Sequence, residues 1–378
     1  MSYDVAALRR AEFPITERYA YFNNCGITPL PARSSRAVQE FLQMSMLEGT
    51  EGFHAWVPCI ERTRTKLGRL LNVSPDDIAL VKNTAEGLDI VAQAIPWKRG
   101  DVVLVAQDEF PATIYPWKGL EHKGVDLRIV PHHNERIDVD TFAPALAEGN
   151  VRLVVLSWVQ FHTGWRADVA AITAACHAAG ALVCLDAIQG AGALPLDLRE
   201  APVDFCVFGG NKWMLSLQGT GALYVNGAIR DHLLPANVGW LGVPWTDIEV
   251  LDPATPLDVR AARYEEGTRV SVCITALEQA LDLIEELGIA NIAAQIKRTT
   301  DLLVAGLLER GASIRSQRDG EHWSGIVAWT HPGRDLHEIM AALKAAGVLV
   351  TIREGSLRAA PHCFNDENDV NRLLNALG

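Results

Sequence analysis

The sequence predicts an α/β protein: a large domain built on a mostly parallel sheet, followed by a smaller α+β domain. Three observations carry this. From Ile78 onward, short β-rich runs alternate with helical stretches. Several runs are almost wholly apolar, as strands covered by helices on both faces should be. The alternation lapses after Gly239-Trp240-Leu241-Gly242 and resumes near the C-terminus in a more compact order.

Taken in order, residues 19–31 read as a short aromatic strand entering an Asn/Gly/Pro turn, with Asn23, Asn24 and Gly26 as turn formers. Ser34 opens a helix with Val38, Phe41, Leu42 and Ser45 on one face, and a second helix covers residues 56–71. A helical start of this kind packs around, or arms, a partner subunit. Strands are expected at residues 78–81, 102–106, 127–130, 153–156, 182–185, 204–208 and 221–225, with helices at 84–95 and 167–179. A loop-rich stretch reaches about residue 266. The helical region 274–308 breaks near Gly288. The end reads strand 325–330, helix 336–346, strands 348–352 and 357–360, and helix 367–377. These elements place the large domain at 18–264 and the small one at 265–378, joined by the N-terminal segment 1–17.

Composition excludes several roles. A net charge of -12 argues against nucleic-acid and anionic-membrane partners, which favour basic patches. No apolar run approaches the ~18 residues needed to span a bilayer. The seven cysteines are dispersed without a C-x-x-C pair, which fits reduced thiols in a cytoplasmic protein. The histidines offer no metal site, since His132 and His133 are adjacent and no H-E-x-x-H occurs.

The chemistry concentrates between residues 181 and 215. An apolar strand ends in Asp186, with Gln189 three residues on, and a second runs into Gly209, Gly210, Asn211 and Lys212. Isolated, Asp186 reads as an acid bonded into its turn and Lys212 as a surface charge. Together they suit one task. The lysine holds the carbonyl of pyridoxal 5′-phosphate as a Schiff base, the carboxylate faces the pyridinium N–H, and Gln189 donates to the phenolic oxygen. Asn83-Thr84-Ala85-Glu86 stands where a strand feeds a helix. That is a capping box, and equally a helix N-terminus able to seat a phosphate. Trp158 is either a core tryptophan or the ring that stacks on the cofactor. Arg358, or Arg353, suits bidentate capture of a substrate carboxylate. Substrate contacts are expected from residues 23–27, including Asn24, and from 240–245.

This set resembles the class V aminotransferase family of pyridoxal-phosphate enzymes, which includes cysteine desulfurases, kynureninases and isopenicillin N epimerase-like proteins. The resemblance runs from about Tyr21 to the C-terminus. It rests on Asp186, Gln189 and Lys212, on the turn Asn83-Thr84-Ala85-Glu86-Gly87, on Arg263-Tyr264-Glu265-Glu266-Gly267-Thr268, and on Arg358 with Pro361, Phe364 and Asn365. It implies a homodimer with shared sites, in which Thr268 reaches the neighbouring subunit's phosphate. It also implies an α-amino-acid substrate that reacts through an internal aldimine and a quinonoid.

Departures narrow the branch. Asn211 stands where desulfurases carry histidine before the lysine. The stretch Ile352-Arg353-Glu354-Gly355-Ser356-Leu357 holds no cysteine, so the desulfurase nucleophile is missing. Residues 110–117 (FPATIYPW) are similar to the kynureninase and aminotransferase branch, but only Trp213 flanks the lysine with an aromatic. The expectation is an aminotransferase first and a β-lyase second, the latter a C–S lyase or desulfurase-like enzyme. Epimerase and kynureninase-like hydrolase follow, and a non-catalytic regulator is disfavoured because the lysine, aspartate, glutamine and arginine are all present.

Overall fold

A computed structural model describes residues 3–244, 252 and 254–378. Its strands are β1 (Ala20–Tyr21), β2 (Ile78–Val81), β3 (Val102–Ala106), β4 (Asp126–Val130), β5 (Val151–Ser157), β6 (Leu182–Asp186), β7 (Phe205–Gly209), β8 (Gly221–Val225), β9 (Ser313–Ile314), β10 (Val327–Thr330), β11 (Val348–Leu349), β12 (Thr351–Arg353) and β13 (Ser356–Ala359). Among the described residues the large sheet has seven strands in the order β2-β8-β7-β6-β5-β3-β4. The pairs from β4 through β7 are parallel, and β8 runs antiparallel to both β7 and β2.

Alternation along the strands explains why they read as apolar throughout. Leu104, Val154, Leu156, Val183, Leu185 and Phe208 face one core, while Val103, Val105, Leu153, Val155, Cys184 and Val207 face another. The central strands β3, β5, β6 and β7 thus bury both sides along most of their length, whereas the edge strand β4 carries Arg128 at its middle and stays partly exposed. In register, Ser157 lies beside Asp186, and Asp186 beside Val207, so the carboxyl ends of β5, β6 and β7 open on one crevice.

A second sheet, β12-β13-β10-β9, carries its own core around Leu303, Trp329, Leu343, Leu357 and Leu373. The helices Ser271–Leu287 and Ile289–Glu309 lead into it, parted at Gly288 with φ 77°. The first helix, Val5–Glu12, is anchored to the chain's far end: Arg9 Nη1 lies 2.6 Å from Asp369 Oδ2. Tyr3 donates to the Cys363 carbonyl at 2.9 Å.

One expectation changes, and two features stand outside the sequence reading. Residues 348–352 form two strands, because the chain leaves its parallel pairing with β1 at Leu349 and joins β13 from Thr351. A helix at Val139–Ala147, capped by Asp138, had no counterpart in the sequence reading. The helix Ala32–Glu48 does not bury its apolar stripe in this subunit: Leu42, Met46 and Leu47 are all exposed.

Candidate functional site

The crevice is set by a tight turn after β7. Gly210 approaches Thr220 so closely that a Cβ would come within 2.2 Å of its Oγ1. Glycine is therefore required there, and the backbone is held by the bond from Gly210 N to Thr220 O at 2.7 Å. Lys212 follows, its amine shifted below the ordinary lysine value by desolvation, which Asp186 opposes. Asp186 is buried, and burial raises its carboxyl pKa. Donors hold it in place: Ile188 N at 2.9 Å on Oδ1 and Thr113 Oγ1 at 3.2 Å on Oδ2. Gln189 is fixed in orientation, since Trp213 Nε1 donates to its Oε1 at 2.9 Å. Its amide nitrogen donates to the Cys25 carbonyl at 3.2 Å, leaving a second N–H.

Asn83 caps the helix Thr84–Ala94 by accepting from Glu86 N at 2.9 Å. Its side-chain oxygen is thereby occupied. Thr84 is different: its hydroxyl is buried without a hydrogen-bond partner. Gly209 stands against it, and a Cβ there would lie 3.5 Å from Thr84 Oγ1. An orphaned hydroxyl, the free N–H groups of Thr84 and Ala85 in the first turn, and the positive end of the helix make a seat that fits a phosphate. Asn211 braces this end of the turn, its carbonyl accepting from Thr28 N at 3.2 Å.

The ring facing the lysine is not the one expected. Trp158 packs behind the Asp186 turn, where a Cβ on Gly190 would meet its ring at 2.3 Å. It lines a separate groove with Arg166, Pro195 and His322. Instead, Lys212 Nζ lies 5.7 Å from the centroid of Phe110. Phe110 is 45% exposed and braced edge-on by Phe161, centroids 5.3 Å apart. Sequence position misled because Trp158 directly follows β5, and residues there alternate between the crevice and the layer behind it.

Asn24 also departs from expectation. Its Nδ2 donates to the Ala360 carbonyl at 2.7 Å and its Oδ1 accepts from Thr28 at 3.2 Å, so the side chain ties two segments together rather than facing a substrate. Arg358 is buried on β13 and donates to the Phe161 carbonyl, with its Nε left without a partner. Arg353 is exposed on β12. Thr268 is exposed on the wall of another cavity, with Lys82, Glu86 and Thr220. Trp240 is half-exposed, and Trp245 lies outside the described residues.

Sequence reasoning missed Glu109. It is buried beside Phe110 and accepts from Ser157 N at 2.8 Å and Gln160 Nε2 at 2.7 Å, and also from the Ser157 hydroxyl. Burial pushes its carboxyl up to about 7, against the pull of those donors. The clamp fixes the loop that carries both Phe110 and Thr113. An acid directly before an aromatic at a strand-to-loop junction was the available signal.

Comparison with known proteins gives a consistent result. The family model described as aminotransferase class-V matches residues 20–373. An uncharacterized aminotransferase of Bacillus subtilis, YcbU, is 25% identical over 97% of this chain and 96% of its own length. A probable cysteine desulfurase of Methanothermobacter thermautotrophicus is 27% identical, covering 96% of this chain and 95% of the relative. Among solved structures, the cystine C–S lyase C-DES in complex with its product, cysteine persulfide, superposes with a TM-score of 0.89. It is 26% identical, over 97% of this chain and 99% of that one.

Proposed function

The chain belongs to the class V aminotransferases, enzymes that depend on pyridoxal 5′-phosphate, and we propose that within this family it is a C–S lyase. It would release a sulfur leaving group from the β-carbon of an amino acid such as L-cystine. Two conclusions of the sequence reading change order here: the β-lyase comes ahead of the aminotransferase.

Pyridoxal phosphate supplies an electron sink for the carbanion at the substrate Cα. The residues present fit it. Lys212 would hold its carbonyl carbon, Asp186 would accept from its ring N–H, and Gln189 would donate its remaining N–H to the phenolic oxygen. Phe110 would cover the ring face. Thr84 and the first-turn N–H groups would receive the phosphate, with Thr268 contributed by a second subunit in a homodimer. Arg358 pairs with the α-carboxylate, which fixes the orientation of the Cα–H bond. Once the substrate amine has taken its place at the cofactor's carbonyl carbon, the freed Lys212 Nζ, which desolvation shifts below the ordinary lysine value, would be the base that takes the Cα proton. The Cβ–Sγ bond then breaks with its electron pair on sulfur. Water hydrolyses the remaining three-carbon fragment, so that cystine and water give cysteine persulfide, pyruvate and ammonium.

The observation that carries this reading over a desulfurase is the β12–β13 connection. Only Glu354 and Gly355 join the strands, both at positive φ, and neither is a cysteine. Cys25 and Cys363 are buried, and burial raises both thiols, so neither supplies a thiolate to accept sulfur. This supports a reaction in which the sulfur leaves with the product, as in the C–S lyase of matching fold. Transamination is the second reading, favoured by the Bacillus relative's name.

The deciding experiment incubates holoenzyme with L-cystine and no keto acid. Many turnovers of pyruvate and persulfide are expected. A single equivalent of keto acid, with the cofactor converted to pyridoxamine phosphate, would establish the aminotransferase instead.

A further inference from the structure

Trp213 follows the lysine directly and is buried, 1% exposed. Three segments hold it. Gly192 lies against its backbone, where a Cβ would come within 2.3 Å of the Trp213 carbonyl oxygen. Gly325, just before β10, lies against the far edge of the indole, and a Cβ there would stand 2.4 Å from Cη2. His362 meets the Trp213 carbonyl through Nε2 at 2.9 Å. Cys363 N donates to His362 Nδ1 at 2.7 Å, so the ring proton belongs to Nε2 and His362 is the donor. Burial lowers the imidazole to about 4, which keeps that tautomer neutral.

The indole N–H is aimed at Gln189. It donates to Oε1 at 2.9 Å, while the Cys25 carbonyl accepts from Nε2 at 3.2 Å. A donor on one side and an acceptor on the other fix which end of the amide is which. Rotated by half a turn, the amide would set N–H against N–H at Trp213 and oxygen against oxygen at Cys25. The distinction matters because only the nitrogen end can donate to a phenolic oxygen, and an amide oxygen there repels it. Gly325 and His362 flank β10 and β13 of the second sheet, whereas Gln189 and Lys212 follow β6 and β7 of the large one. The indole therefore links the two sheets, packed on Gly325 at one edge and bonded to Gln189 at another.

We propose that Trp213 is a positioning residue for the cofactor: the second sheet, through Gly325, holds the indole where its N–H keeps the Gln189 amide nitrogen toward the phenolic oxygen. Trp213 acts only through Gln189, and its role rests on the bond from Gln189 to that oxygen proposed above. The consequence is electronic. When the lysine–cofactor linkage loses its proton, the phenolic oxygen is left a full anion, and a donor there favours that state. The orientation set by Trp213 therefore lowers the pH at which the linkage deprotonates.

The pH midpoint of the holoenzyme's absorption change reads this without turnover. Gln189→Leu should raise the midpoint by about one unit, the effect of losing one hydrogen bond to an anion. Trp213→Phe should raise it at least about half as far. So should 3-benzothienylalanine at position 213, which keeps the bicyclic ring and lacks the N–H. Gly325→Ala, at a position without positive φ, should shift it the same way by displacing the ring. In the Gln189→Leu background none of these three changes should move the midpoint further. An unmoved midpoint in both position-213 variants, or shifts that persist without Gln189, overturns the proposal. A midpoint unmoved by Gly325→Ala overturns the part assigned to the second sheet. If Gln189→Leu itself leaves the midpoint in place, the bond to the phenolic oxygen falls, and the positioning role falls with it.

Discussion

The two ends of the site are built on opposite principles. At the carboxyl ends of β5 to β7, the polar groups are already paired: Asp186 with Ile188 and Thr113, Gln189 with Trp213 and Cys25, Glu109 with Ser157 and Gln160. On the β12–β13 face, Arg358 Nε and Thr351 Oγ1 are left unbonded. The difference corresponds to what each end is proposed to hold. A resident cofactor is best served by side chains locked before it arrives, because preorganised dipoles need no rearrangement at the moment of reaction. A substrate that comes and goes brings its own partners. Thr84 is an exception at the cofactor end, as is Gln160 Oε1, and the orphan hydroxyl of Thr84 marks where the phosphate is expected.

This contrast can be broken at several points. The largest effect is expected at the lysine. Lys212→Ala should remove the borohydride-reducible absorption band of the holoenzyme and lower turnover by at least about 10³-fold, measured by spectroscopy and pyruvate release. A retained reducible band would put the cofactor on another residue.

A middle-sized effect should separate the two rings. Phe110→Ala removes the face that covers the lysine's crevice and should weaken cofactor retention about tenfold, read by dialysis and cofactor fluorescence. Trp158→Phe should leave retention within about twofold while lowering Tm, since that ring fills the layer behind the turn. The reverse pattern would restore the stacking role to Trp158.

The smallest effect concerns Glu109. Its carboxyl rises from the ordinary 4.5 to about 7, so the folded protein holds the proton more tightly than the unfolded chain does. Stability should therefore be highest below the unfolded value and decline as pH rises from about 4.5 to about 7, by at most about 3 kcal/mol. Glu109→Gln keeps an acceptor for Ser157 N and removes the titration. Calorimetry from pH 5 to pH 8 should show the wild-type Tm falling relative to the variant. Parallel curves would mean that the clamp stays ionised throughout.

Much of this was legible in the sequence for a definite reason. Strands buried on both faces have almost no polar residues, so β3, β5, β6 and β8 could be delimited within about two residues by apolar runs alone. Asp186, Gln189, Lys212 and the turn at Asn83 occupy strand ends, where a polar residue stands out against its surroundings. The family resemblance followed from their order along the chain.

The β12–β13 pairing was less legible. Residues 348–352 are one apolar run in sequence and two strands in space, since the switch between partners leaves no mark in composition.

What the sequence determined by itself was the architecture and the family. Those are set by local periodicity and by chemistry confined to single segments. What only the tertiary structure decided was which ring covers the lysine, that Asn24 is spent on the backbone, and that Trp213 meets Gln189. Each depends on which side of a strand or turn a side chain leaves from, and on what another segment places opposite. A one-residue shift in register reverses that side without altering the composition of the run.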